Sequence, residues 1–196
     1  SLPQMQGSLS ATQDQIAWVV TFNIVATAVA TPMTGWATAR FGQRPLLLGC
    51  VALFTLSSLL CGLAGSLETL VLFRICQGVF GAPLAPLSQA IVLATYPQRM
   101  HGTVTAVFGM GVVIGPIIAP TLGGYLSEEY GWRWVFYMIV PFGIGSLLGC
   151  WAFVTDAGRA ARVRLDWTGF VALSIAIACL QLLLDRGERN SWFEST

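Results

Sequence analysis

GVVIGPIIAPTLGG, residues 111–124, lies inside a long apolar run where a helix is expected. Yet it holds four glycines and two prolines, the residues that weaken a helix most in water. In lipid the balance differs. Helices there gain little from hydrophobic burial when they meet, and gain instead from close contact, which small residues permit. Gly111, Gly115, Ala119 and Gly123 recur every four residues and so share one side of a helix. Pro116 and Pro120 remove two backbone donors, release the carbonyls of Val112 and Pro116, and favour a bend. Such defects survive in a bilayer where neighbouring helices, side chains or water satisfy the freed groups. The stretch reads as a bent helix pressed against another helix. Two uses fit it: packing alone, or a bending and sliding seam in a protein that changes shape.

The composition agrees with a lipid environment. Of 196 residues, 55% are hydrophobic and only 10% charged, where soluble domains carry about 25% charged residues. The mean hydropathy is +0.71. Six segments are long and apolar enough to span a bilayer, near 16–38, 45–65, 69–95, 102–126, 132–154 and 166–185. The expected fold is an all-α membrane helix bundle. Short polar breaks separate the spans. Arg40 and Arg44 occupy the first, Arg99 the third, and Arg159, Arg162 and Arg164 the fifth. The second and fourth carry Glu68, Glu128 and Glu129, with Arg133 opposing them. The odd-numbered breaks therefore face the cytoplasm, and the amino-terminal end lies outside. SLPQMQGSLS, at the start, has no initiating Met and no basic segment followed by an apolar one. This reads as the inside of a longer protein, with one span preceding Ser1. The visible spans would then be numbers two to seven.

A few polar residues stand out. Arg74, about five residues into the third visible span, is costly in a membrane. Residues 74, 77, 78, 81 and 85 share a face that reads Arg, Gln, Gly, Gly, Ala. The arginine either snorkels to the outer interface or faces a cavity, bonds a neighbouring helix and tunes a titrating carboxylate. The first span carries a second stripe, Asn23, Thr27, Thr31 and Thr34, with Pro32 placed to bend it. Interhelical hydrogen bonds and a cavity lining both account for this stripe. Gly35 and Gly42 flank Arg40 in the first cytoplasmic break, allowing a tight turn from which Arg40 and Arg44 can reach carbonyls or acids on nearby helices. No visible span has an acidic residue near its centre, so either a proton carrier lies elsewhere in the parent protein or the protein is not proton-coupled.

Several classes find no support. The five cysteines sit in apolar runs without CxxC or paired histidine, and read as small buried hydrophobes rather than disulfides or metal ligands. His101 is alone in a loop, and neither a nucleophile with its base nor a P-loop is encoded. No enzyme activity, cofactor or metal is expected. A net charge of +1 gives no reason to expect nucleic acid.

Four motifs, in order and spacing, resemble those of the major facilitator superfamily, specifically its fourteen-span drug:proton antiporter branch. GWATARFGQR resembles the loop between helices two and three, and RICQGVFGAP the helix-four motif. GVVIGPIIAPTLGG resembles the helix-five antiporter motif, and WRWVFYMIVPFG the start of helix six. The tail LQLLLDRGERNSWFES also matches the segment after helix seven. The resemblance implies that residues 1–154 supply helices two to six of the amino-terminal bundle. Residues 155–196 would be a cytoplasmic linker, helix seven and the start of an external loop. By the same resemblance Arg74 takes part in proton coupling, and the polar faces bearing Asn23, Thr27, Thr31, Gln77, Gly78 and Gly81 are expected to line the cavity. Gly111, Gly115, Pro116, Pro120, Gly123 and Gly124 form the antiporter motif, while Gly35, Arg40, Gly42 and Arg44 form the cytoplasmic gate loop. One departure weakens that latch: Ala39 stands where the family pattern has Asp.

The function so implied is proton-coupled export of amphipathic or lipophilic small molecules across the bacterial inner membrane. Partners would be the small-molecule substrate and protons, the lipid bilayer, the missing first helix and the carboxy-terminal bundle of the same chain. In double-membrane bacteria a periplasmic adaptor and an outer-membrane channel join them. The alternatives are a membrane scaffold or sensor that reuses the fold without transporting, and an exporter of one specific metabolite.

Overall fold

The computed structural model describes residues 12–155 and 166–189. The expected linker arginines Arg159, Arg162 and Arg164, and the external tail from residue 190, lie outside the described residues. Among the described residues the structure is helical throughout. The helices are α1 (Gln13–Ala30), α2 (Met33–Phe41), α3 (Gln43–Leu63), α4 (Leu67–Gly81), α5 (Leu84–Thr95), α6 (His101–Glu129), α7 (Arg133–Tyr137), α8 (Ile139–Phe153) and α9 (Trp167–Arg189), with a 3₁₀ turn Gln98–Met100 before α6.

Local chemistry explains most boundaries. Thr12 and Gln15 form a reciprocal capping box at the start of α1, and Ser66 with Thr69 does the same for α4. Pro32 interrupts the first expected span, and α1 and α2 meet there at a 59° bend. Gly42 (φ 90°) turns the chain from α2 into α3, and Gly131 (φ 92°) from α6 into α7, conformations that side chains disfavour. Gly35, by contrast, lies within α2 and makes no turn. Four helical segments are long and apolar enough to cross a membrane, or five when the bent α1–α2 pair counts as one. The sixth expected span corresponds to α9, whose apolar part is shorter, Trp167–Gln181. Asp166 caps it: its carboxylate accepts from the Gly169 amide at 3.0 Å and the Thr168 hydroxyl at 2.6 Å. The Gly169 amide foremost, then the Thr168 hydroxyl, holds that exposed carboxyl below the usual range.

Helix α4 is the centre of the packing. It lies against α1 and α3, and α3 in turn lies against α7 and α8. Glycines make these approaches close. A Cβ on Gly62 of α3 would collide with the Tyr137 ring, and one on Gly143 of α8 with the Thr55 side chain. The outer core gathers Ile16, Val19, Cys61, Leu70, Trp132 and Phe136, and the inner core Leu47, Val51 and Leu87. Two arginines fasten α3 at opposite ends. Arg133 Nη2 donates to the Ala64 carbonyl at 3.1 Å, and Arg44 Nη2 to the Trp151 carbonyl at 2.9 Å.

Helix α6 departs from expectation. It runs unbroken through Pro116 and Pro120, and residues 110–122 are exposed. A Cβ on Gly111, Gly115 or Gly124 would meet nothing, and one on Gly123 only Val135 at 3.8 Å. The helix expected to press on a neighbour therefore has an open glycine face among the described residues. Its main contacts are with the elements that flank it in the chain. Cys179 also differs from the expected buried cysteines, being exposed on α9, whereas Cys50 and Cys61 are buried.

Candidate functional site

Arg74 lies seven residues into α4, about 10 Å along the axis from Leu67. The helix begins earlier than the hydropathy suggests, so the arginine is deeper than expected. It does not snorkel outward. Its Nη1 donates to Gln77 Oε1 at 3.0 Å, one turn further from the outer end. Its guanidinium carbon lies 4.5 Å from the centre of the Phe136 ring, a cation–π contact that contributes about 0.5–2 kcal/mol. Phe136 belongs to the same buried cluster as Leu70, Cys61 and Trp132. The buried Nε has no partner, and no acidic side chain among the described residues meets the guanidinium.

The bonds continue in one direction across two helices. Gln77, 3% exposed, donates through Nε2 to Ser58 Oγ at 2.7 Å, and Ser58 donates to the Phe54 carbonyl at 2.9 Å. The amide orientation follows from these partners: its oxygen faces a cation and its nitrogen faces a hydroxyl. On the other side of α4, Asn23 Nδ2 donates to the Arg74 carbonyl at 2.8 Å. The Thr27 hydroxyl reaches the Asn23 carbonyl at 2.8 Å and the Gly78 carbonyl at 3.3 Å. Gly78 makes this approach feasible, since its Cβ position lies 2.5 Å from the Asn23 carbonyl oxygen. A Cβ on Gly81 would lie 3.2 Å from the Phe54 ring. Arg74, Gln77, Gly78, Asn23 and Thr27 thus meet in one polar seam through α1, α4 and α3. Thr31 stays apart: it is exposed and returns its hydroxyl to the Thr27 carbonyl at 2.7 Å.

Sequence reading passed over two members. Ser58 belongs to a Ser57–Ser58 pair in the middle of an apolar span, and that signal was available. Phe136 gave no such signal, because an aromatic in an aromatic-rich stretch is ordinary. In the first cytoplasmic break, Arg44 reaches a helix-end carbonyl as its position suggests. Arg40 is exposed and has no polar partner among the described residues.

The arrangement holds a fixed cation within an apolar bundle, with no carboxylate beside it among the described residues. The profile described as Major Facilitator Superfamily matches residues 1–188. The chain belongs to that superfamily. Its fold is that of membrane transporters rather than enzymes, and it is a multi-pass protein of the inner membrane. Multidrug export protein EmrB of Haemophilus influenzae is 39% identical over 196 residues, all of this chain and 38% of that protein. Fatty acid resistance protein FarB of Neisseria gonorrhoeae is 38% identical, again over the whole chain and 39% of that protein. The chain thus spans under two fifths of these relatives. Among solved structures, the proton:xylose symporter XylE bound to 6-bromo-6-deoxy-D-glucose matches with a TM-score of 0.71. The match covers 97% of this chain and 49% of XylE, at 14% identity, a likeness of superfamily fold alone.

Proposed function

We propose that the chain forms part of the amino-terminal bundle of an exporter that exchanges amphipathic or lipophilic small molecules for protons. Residues 1–154 would supply helices two to six of that bundle, and residues 155–196 the linker, helix seven and the start of an external loop. Alternating access would rock this bundle against a second one around a midplane cavity. The observation that carries the reading is Arg74, a cation held inside an apolar bundle, its guanidinium engaged by Gln77 and the Phe136 ring and its backbone carbonyl by Asn23. Arginine stays protonated, so it would bias a carboxylate supplied by another part of the parent chain. Asn23, Thr27, Thr31, Gln77, Gly78 and Gly81 would border the pathway at the α1–α4 seam. The open glycine face of α6 would meet the second bundle and slide on it. Gly35, Arg40, Gly42 and Arg44 would serve the cytoplasmic gate. In double-membrane bacteria an adaptor and an outer channel would complete the route.

The likeness to FarB favours a second, narrower reading, in which the cargo is an amphipathic anion with a long apolar tail. One experiment separates the two. The full-length parent protein is placed in everted vesicles, and uptake of a fluorescent lipophilic cation and of a labelled fatty acid is followed as the proton gradient is imposed and collapsed. Gradient-dependent cation uptake that Arg74→Ala abolishes supports multidrug exchange with Arg74 in the coupling route. Fatty-acid uptake alone supports the narrower cargo. Uptake that Arg74→Ala leaves intact removes Arg74 from coupling. No uptake of either compound by folded, inserted protein sinks both readings and favours a scaffold.

A further inference from the structure

We infer that the groove between α3, α5 and α8 binds an anionic phospholipid of the cytoplasmic leaflet, with its phosphate on Arg44 and an acyl chain between the helices. The inference does not rest on the direction or cargo of transport.

The groove has a volume of about 330 Å³, and its lining includes Leu47, Val51, Phe54, Leu84, Phe142 and Cys150. Its walls are mostly apolar; of the hydroxyl-bearing residues Thr55, Ser88 and Ser146, the Thr55 hydroxyl is turned back to the Val51 carbonyl at 2.7 Å. Towards the outer end α3 and α8 come close, where Gly143 meets Thr55. From Thr55 down to Leu47 the groove runs about 12 Å along α3. Its lower end is the cytoplasmic one, by the placement of Arg40, Arg44 and Arg99.

The chemistry of that lower end suits a phosphate. Arg44 lies one turn below Leu47, and its Nη2 is bonded to the carbonyl of Trp151, the neighbour of Cys150. The guanidinium thus spans the mouth from α3 to α8. That bond uses one of its five N–H groups, and its buried Nε has no partner. Arg44 is also the second residue of α3, whose first turn receives no side-chain cap. Pro45 has no N–H and the Leu46 amide is bonded to the Gly42 carbonyl at 3.3 Å, which leaves the Gln43 and Arg44 amides and the helix dipole to favour an anion there. Residues 35–45 carry two arginines and no Asp or Glu. A zwitterionic headgroup therefore finds no partner in that loop for its ammonium, whereas an anionic one loses nothing. Basic pockets between helices on the cytoplasmic side are the setting in which anionic headgroups bind.

The test uses the full-length parent protein, stripped of lipid and titrated with phosphatidylglycerol or with phosphatidylcholine of the same acyl chains. Bound lipid is counted by native mass spectrometry. Wild type is expected to favour phosphatidylglycerol by about fivefold, the share of one arginine. Arg44→Ala should remove that preference and Arg44→Lys should retain most of it. Ser146→Trp, which fills the groove, should reduce binding of both lipids. Arg40→Ala should change nothing. Equal binding of the two lipids by wild type overturns the site, as does an Arg44→Ala protein that keeps the preference. Equal losses in Arg40→Ala and Arg44→Ala would assign the effect to diffuse surface charge and also overturn it. A measurement on wild type decides the matter even where a variant does not fold. Alkylation of Cys150 by a lipophilic maleimide, read by peptide mapping, should slow more in phosphatidylglycerol than in phosphatidylcholine. No difference in that rate refutes the inference.

Discussion

Replacing Gly78 by alanine tests the geometry of the polar seam directly. The added Cβ would lie 2.5 Å from the Asn23 carbonyl oxygen, 3.0 Å from Thr27 Oγ1 and 3.1 Å from the Ala26 Cβ. A carbon and a carbonyl oxygen settle near 3.3–3.6 Å, so α1 must retreat by about 1 Å. The obstacle is backbone, which no rotamer change relieves. That retreat stretches the 2.8 Å bond from Asn23 to the Arg74 carbonyl and the 3.3 Å bond from Thr27 to the Gly78 carbonyl beyond hydrogen-bonding range. Interhelical bonds in membranes average about 0.6 kcal/mol each, and overpacking costs about 1–3 kcal/mol. Alanine returns about 1 kcal/mol of helix propensity. The net expectation is a loss of about 1–3 kcal/mol. The assay is reversible unfolding of the full-length protein in mixed micelles. Gly49→Ala is the control, because a Cβ on Gly49 meets nothing. If Gly78→Ala proves as stable as Gly49→Ala, the close approach of α1 and α4 is wrong.

Three further substitutions probe other parts of the same reasoning. Gln77→Leu removes the bonds to Ser58 and from Arg74, leaves a buried guanidinium short of an acceptor, and should destabilise by about 1–3 kcal/mol in the same unfolding assay; wild-type stability would mean that the network is dispensable. Gly115→Leu should leave insertion intact, because nothing in this bundle meets the new side chain, yet abolish vesicle uptake by blocking the seam; undiminished uptake would reduce α6 to packing. At the start of α9, the depressed pKa of Asp166 means that its cap contributes stability above the ordinary value of 3.8 and loses it as pH falls through the lowered one. Exchange of the Gly169 amide should accelerate over that acid range in wild type and not in Asp166→Asn, and identical profiles would dismiss the cap.

The apolar spans were legible because hydropathy acts through length, which sequence states outright. Pro32 announced the α1–α2 bend for the same reason, since a missing donor is local. Pairing was less legible. The stripe of Asn23, Thr27 and Thr31 fitted interhelical bonds and a cavity equally, because periodicity places residues on a face without saying what the face meets. The structure turns Asn23 and Thr27 to α4 and leaves Thr31 on its own helix. Glycines show the limit most clearly. Gly78 and Gly111 read alike, yet one lies against a carbonyl and the other faces open space. The difference lies in helix rotation, a property of the whole bundle. Ser58 was legible in principle, as a polar residue in the middle of an apolar span.

The two arginine bonds at the ends of α3 have a mechanical consequence. Arg133 ties the outer end of α3 to α7, and Arg44 ties the inner end to α8. An axial slip of even one residue, about 1.5 Å, would stretch both bonds and drive Gly62 and Gly143 against their neighbours. The three helices therefore behave as a strut pinned at top and bottom, stiff to shear and free only to tilt as one piece. Compliance is left to α6, which has no comparable cross-tie among the described residues. A force applied at one end of the strut would be carried to the other, while α6 could move without breaking such a tie.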